Sequence, residues 1–437
     1  MSVPTIHKTL RSLLLVLVFE FNWPVFCNAD FWGTESSPSP STSPIAADSP
    51  TAVLAPISTL TGEHATKRDF WIKIYSELDS TQGVVHDAVK IDRVFESLSF
   101  KDIEGGSASR KAFKLERAAI KKWRDLAQRV HIKRKHPEKM TEEEKKFFAM
   151  IPESEGENRF ADLTKRKRIR FQLGQKDRFL TGLIESGRYL PAMEKTFREK
   201  GIPVELTRLP FVESSFNTRA RSKVGASGIW QFMRSTGKLF LRVHPHTDER
   251  NDPFRATEAA ARLLKQNFEK LGNWPLAVTA YNHGPDGIAR AAKKVGSERL
   301  EDVLDRYHSR RFGFASSNFY SEFLAAVEVE KNAEKYFGKI ERLPPLQAVE
   351  VEVQDEISMS ELIKFLKLDL EKIKDLNPAL SLSVIKGHTR IPAGYQLRLP
   401  ILPDTSAELT LKLFVAGYEQ IPALFKRKVK NRFRRRL

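Results

Sequence analysis

From about residue 170 to Tyr336, apolar side chains recur every three or four positions in short segments punctuated by glycine and proline. That spacing restricts the region to a compact all-helical domain. Phe179, Leu180, Leu183 and Ile184 suit one amphipathic helix, which Gly187 stops. Pro191 opens another, with Met193 and Phe197 inward and Gly201 as its C-terminal glycine. Leu206, Leu209, Phe211 and Val212 carry the same pattern up to Glu213. Asp252-Pro253 reads as an N-cap followed by proline at the first helical position; Ala256, Ala260, Leu263, Leu264 and Phe268 form the buried stripe and Gly272 ends it. A shorter helix from Trp274 to Tyr281 breaks at Gly284-Pro285.

The flanks are of other kinds. His7-Lys8 and Arg11 precede a short apolar run from Leu13 to Phe19, with a small residue at Ala29, so residues 1–29 read as a secretory signal peptide. An uncleaved anchor is the alternative. Cys27 is the only cysteine, and the bulky Pro24-Val25-Phe26 before it argues against lipid attachment. Residues 30–64 are a Ser/Pro-rich linker, and 65–168 a strongly charged helical extension in which Leu115, Ala119, Trp123, Leu126 and Val130 keep helical spacing. The basic run Lys165 to Arg168 and the stretch Thr141 to Lys146 read as solvated helix faces. At the other end Val349 to Val353 and Tyr395 to Pro400 alternate as strands around two short helical patterns. Residues 403–437 form a basic tail. The net charge of +18 over 437 residues calls for an anionic partner. In an exported protein that is an anionic membrane surface or wall polymer, and no nucleic acid is expected.

Chemistry concentrates around Glu213. It lies in Pro210-Phe211-Val212-Glu213-Ser214-Ser215, an acid among apolar neighbours, where the charged form is disfavoured. Such a carboxyl keeps a proton near neutral pH and can deliver it to a glycosidic oxygen. Gly228-Ile229-Trp230-Gln231 and Ala280-Tyr281-Asn282-His283 follow. Gln231 and Asn282 offer amides for N-acetyl and hydroxyl groups, and Tyr281 either restrains Glu213 or only packs. Trp230 reads as a floor for a sugar ring or as core. His244, His246 and Asp248 read as a solvent-facing loop rather than metal ligands, and no cofactor is expected.

These motifs, in this order, resemble the lytic murein transglycosylases of the membrane-bound type D subgroup. Glu213-Ser214 stands at the family's Glu-Ser pair, Gly228 to Gln231 where many members have Gly-Leu-Met-Gln, and Ala280 to Asn282 at its third motif. The resemblance implies a mainly α fold, with a lysozyme-like catalytic domain over residues 169–338. It implies cleavage of the β-1,4 bond between N-acetylmuramic acid and N-acetylglucosamine in peptidoglycan strands, leaving a 1,6-anhydromuramoyl end. Glu213 would be the lone acid/base, with Ser214 orienting the acid or the sugar. A periplasmic or envelope location follows. A family tyrosine late in the domain has Phe319 at its position, with Tyr320 beside it, so that either Tyr320 supplies the hydroxyl or the site lacks it. Between Glu205 and Asp286 no other acid has an apolar setting, which favours transglycosylation. A lysozyme-type hydrolase and a non-catalytic glycan-binding scaffold are the alternatives. Residues 346–402 resemble a LysM module through Leu370 to Pro378 and Ile391 to Leu397, a small α+β (βααβ) unit that binds glycan or is purely structural.

Overall fold

The computed structural model describes residues 57–103, 108–401 and 405–412. The expected signal peptide with Cys27, most of the linker and most of the basic tail lie outside the described residues. The chain divides into two compact units, one containing residues 69–176 and the other residues 177–437 with the segment before residue 69. Mainly helical architecture, as the periodicity implies, holds for the whole. Among the described residues no helix is long and apolar enough to cross a membrane.

The first unit combines its helices with a small sheet. Three antiparallel strands, β1 (Gln82–Asp87), β2 (Val94–Ser99) and β3 (Ile169–Leu173), form a sheet in the order β2-β1-β3. The helix Ala108–Lys133 packs on the sheet and on the helices Glu142–Met150 and Arg159–Thr164. Val85, Leu126, Val130, Phe147 and Phe160 lie in their common core. β1 is the central strand, buried from Gly83 to Asp87, so it lacks the apolar–polar alternation that reveals a half-exposed strand. The extension is mainly helical as expected, with the two strands β1 and β2 as an addition that the pattern did not reveal.

The reading of Lys165 to Arg168 as a solvated helix face is corrected. The helix before them ends at Thr164, the run turns through Lys167 at φ 67°, and Arg168 leads into β3. The Arg168 Nε donates to the Oδ1 of fully buried Asp87 at 2.6 Å, and Arg93 grips the other carboxylate oxygen at 3.0 Å. The stretch Thr141 to Lys146 is helical as expected, begun by a capping box between Thr141 and Glu144.

In the second unit the glycine and proline punctuation falls where the helices start and stop. Helices run Lys176–Ser186, Leu190–Glu199, Leu209–Ser214, Pro253–Leu271, Trp274–His283, Pro285–Val295 and Phe314–Lys331. Asp252 caps the fourth by accepting from the backbone N–H groups of Phe254 and Arg255, and Gly272 closes it in the left-handed region at φ 79°. The helix Trp274–His283 packs against Pro253–Leu271 and Phe314–Lys331. The C-terminal module pairs β4 (Ala348–Glu352) with β5 (Gln396–Pro400) antiparallel, Val349 opposite Leu399 and Val351 opposite Leu397. Between the strands run helices Met359–Leu366 and Leu370–Leu376, and a third turn, Leu382–Ile385, that the strand–helix–helix–strand reading does not contain. Val353, Leu362, Ile373, Val384 and Leu397 fill its core.

Candidate active site

Glu213 sits in the last turn of the helix Leu209–Ser214, whose Leu209, Pro210, Phe211 and Val212 are all buried. The chain leaves that helix under strain. Ser215 and Phe216 both have left-handed backbones, at φ 50° and 57°, unusual for side chains with a Cβ. Burial of Phe216 edge-on against Phe211, ring centroids 4.7 Å apart, holds this turn in place. Glu213 itself is half-buried, and its carboxylate makes no hydrogen bond or ion pair among the described residues. With water largely excluded and no partner supplied, burial pushes its pKa from 4.5 up to about 8. The sequence expectation of a protonated acid thus acquires a geometry.

The residues around it brace one stretch of backbone. Gly228 has φ 78°, and a Cβ there would lie 1.7 Å from the Arg250 carbonyl oxygen, so only glycine fits. Next to it, the Ser214 hydroxyl donates to the Ile229 carbonyl at 2.9 Å, and the Tyr281 hydroxyl donates to the Trp230 carbonyl at 2.9 Å. Gln231 is left-handed at φ 47°, and its Nε2 donates to the carbonyls of Gly228 at 2.8 Å and Ala220 at 3.2 Å. Ser214 therefore spends its donor on bracing the loop, and Gln231 has its amide nitrogen committed to its own loop. Trp230 is core: it is fully buried, stacks on Phe197 and donates from Nε1 to Thr257. Tyr281 stands close enough to Glu213 that the carboxylate charge adds to burial in raising the phenol's pKa.

Asn282 is partly buried, and its Oδ1 accepts from the Ser316 hydroxyl at 3.0 Å, which in turn lies 3.1 Å from Nδ1 of His283. Tyr320 is not brought to the site: it is 2 % exposed and its hydroxyl donates to the Ser58 carbonyl. Phe319 instead stacks parallel to Tyr281, centroids 6.5 Å apart. The substitution of a neighbouring hydroxyl for the family tyrosine is thus corrected. The helix turns Phe319 toward Tyr281, and the adjacent residue faces elsewhere by about 100° of helical rotation.

Of the six acids that follow Glu213 up to and including Asp286, five have partners. Asp248 pairs with Arg250, Glu249 accepts from the Arg242 backbone, Asp252 caps its helix and pairs with Arg398, Glu258 lies near Arg255 and Asp286 meets Lys270. Glu269 is exposed on its helix. Asp248-Glu249-Arg250 reads in the sequence as a salt-bridged loop, which the Arg250–Asp248 pair bears out; what sequence reasoning missed is the hold of Arg250 on backbone carbonyls. Arg250 is 4 % exposed and divides its donors between the Asp248 carboxylate and the backbone carbonyls of Gly225 and Phe232, the second a role without a motif.

Residues 192–303 match the family described as Transglycosylase SLT domain. The membrane-bound lytic murein transglycosylase D of Escherichia coli K12 is 27 % identical over 203 residues, 46 % of this chain and 43 % of that protein. Its counterpart in Escherichia coli O6:H1 matches to the same extent, 27 % over 203 residues. The chain thus spans less than half the length of these curated relatives. A solved structure of an inactive mutant of lytic transglycosylase Slt from Pseudomonas aeruginosa aligns at 19 % identity with a TM-score of 0.28, over 36 % of this chain and 25 % of that one.

Proposed function

With a transglycosylase SLT domain in residues 192–303, we propose that this protein is a peptidoglycan lytic transglycosylase using Glu213 as its single acid/base. The observation that carries the reading is the partnerless Glu213 carboxyl, pushed up to about 8 beside a frame braced by the Ser214 and Tyr281 hydroxyls. Protonated Glu213 gives its proton to the glycosidic oxygen as the bond to the muramoyl C1 breaks. The muramoyl C6 hydroxyl then closes on C1, and its proton returns to the Glu213 carboxylate. No water is consumed, so no second carboxylate is required, unlike in a hydrolase. Asn282, oriented by Ser316, and the Oε1 of Gln231 are the groups we assign to the sugar. Tyr281 limits the approach of water and fixes the wall beside Glu213.

The signal-like start and the substrate together support an envelope location, and the basic tail supports contact with an anionic membrane surface. Residues 346–402 are read as a LysM-like module. Mass spectrometry of muropeptides released from purified sacculi tests the function. The products are expected to be lighter by one water than hydrolysis products, and Glu213→Gln is expected to release none. Hydrated ends would make the enzyme a lysozyme-type hydrolase, and equal release by Glu213→Gln would remove Glu213 from the mechanism.

A further inference from the structure

Ser214 and Tyr281 brace residues 228–231 from the side of the acid, and a second set of contacts holds the same loop from behind. Buried Arg250 donates from Nη1 to the carbonyls of Gly225 at 2.8 Å and Phe232 at 3.0 Å, the two ends of the loop. Its Nε and Nη2 are held by Asp248 at 2.9 and 2.7 Å. Asp248 is in turn fixed by the C-terminal module. Its backbone N–H donates to the Ala379 carbonyl at 2.8 Å, the Ser381 N–H donates to the His246 carbonyl at 3.1 Å, and Thr247 bridges Leu380 as paired strands do. A few residues on, Asp252 pairs with Arg398 of β5, both nearly inaccessible, and Arg398 also meets Glu350 of β4 at 2.7 Å.

A buried ion pair is costly to desolvate and is weak evidence for net stability; fixing a register is its better-attested use. Here the register is that of segment 246–252 on the module, and Arg250 transmits it to the loop that carries Gln231. We propose that the C-terminal module is a positioning element of the catalytic site, holding residues 225–232 in place through Asp248 and Arg250. Its edge at Ala379 to Ser381 and its Arg398 act on turnover by keeping the Glu213 wall in place, with no contact to substrate required. The catalytic consequence rests on the proposed transglycosylase reading; the mechanical one does not.

The test uses the full-length chain with Arg398→Ala, Arg398→Lys and the milder Glu350→Gln. Amide hydrogen exchange is read at residues 225–232 and, as a control for folding, across β4 and β5. Arg398→Ala is expected to speed exchange at 225–232 about 10-fold while β4 and β5 stay protected. Its kcat on glycan strands should fall about 10-fold with KM little changed, because ground-state binding is not what the module contributes. Arg398→Lys should recover most of both, and Glu350→Gln should shift both in the same direction by about 2-fold. Unchanged exchange at 225–232 with the module folded overturns the proposal, as does a loss confined to KM, the mark of a glycan tether. If Arg398→Ala unfolds the module, Glu350→Gln decides on the same two readouts. A wild-type chain that leaves peptidoglycan intact, with exchange responding as expected, sinks the functional reading and leaves the coupling standing.

Discussion

Glu213 holds its proton because nothing polar touches its carboxyl, and the same isolation works against folding. In the unfolded chain it ionises from about 4.5, in the folded protein only near 8. Between those values the native state binds more protons, so stability from this group is lost as pH rises through that window. Glu213→Gln removes the effect. Its unfolding free energy should match wild type near pH 4.5 and exceed it increasingly toward pH 8, by an amount on the order of a few kcal/mol, with the melting temperature rising in parallel. Thermal unfolding at several pH values checks this, and a gap that stays constant with pH would mean the carboxyl is not shifted. This much was legible beforehand, because an acid flanked by Phe211 and Val212 in a helical pattern has few places to put its charge. The direction of a side chain was not. Tyr320 bonds to Ser58 and Gln231 bonds to its own loop, and neither fact has a local signature. Arg250 was legible only as the partner of Asp248: backbone carbonyls are present at every position, so its bonds to Gly225 and Phe232 leave no pairing pattern.

At the scale of elements, the helices could be read because their ends are chemically marked. Asp252 at a cap, prolines at first positions and left-handed glycines at 201 and 272 are local requirements that local sequence expresses. The sheet β2-β1-β3 could not, since the central strand is covered on both faces and pairs with a partner more than eighty residues away. The loop 225–232 lies between these cases. Its Gly-Ile-Trp-Gln string marks the place, yet its shape depends on Arg250 pressing a carbonyl against Gly228. Gly228→Ala therefore meets two obstacles, a forbidden φ and a backbone oxygen that cannot swing aside. The variant should lose roughly 2 kcal/mol or more of stability, and it should lose activity even where it stays folded, because the loop must move away from Ser214 and Tyr281 to admit the methyl. Chemical denaturation alongside turnover of glycan strands measures both; wild-type turnover in a folded Gly228→Ala would show that the frame tolerates displacement.

Across the whole molecule, individual buried groups pull stability with pH in opposite senses. In the first unit, hydrogen bonds from Lys133 and the Thr141 backbone hold Glu144 at about 2, so its contribution is present above about 4.5 and is lost as pH falls toward 2. Burial lowers His86 in the same unit from 6.5 to about 4. The unfolded chain takes up that proton first, so stability drains away as pH falls between those values. The second unit carries Glu213, which acts the other way, favouring the fold in acid and weakening it toward pH 8, while His283, lowered from 6.5 by burial, partly offsets it. Hydrogen exchange at pH 7 and pH 4.5, corrected for the intrinsic rate, should therefore show residues 69–176 losing protection on acidification while the helices around Glu213 keep or gain it. In His86→Phe, which stays apolar at every pH, the acid loss in the first unit should shrink by an amount on the order of a few kcal/mol, leaving the part due to Glu144 at lower pH. Parallel loss of protection in both units on acidification, or no change with His86→Phe, would place the acid sensitivity in groups other than these.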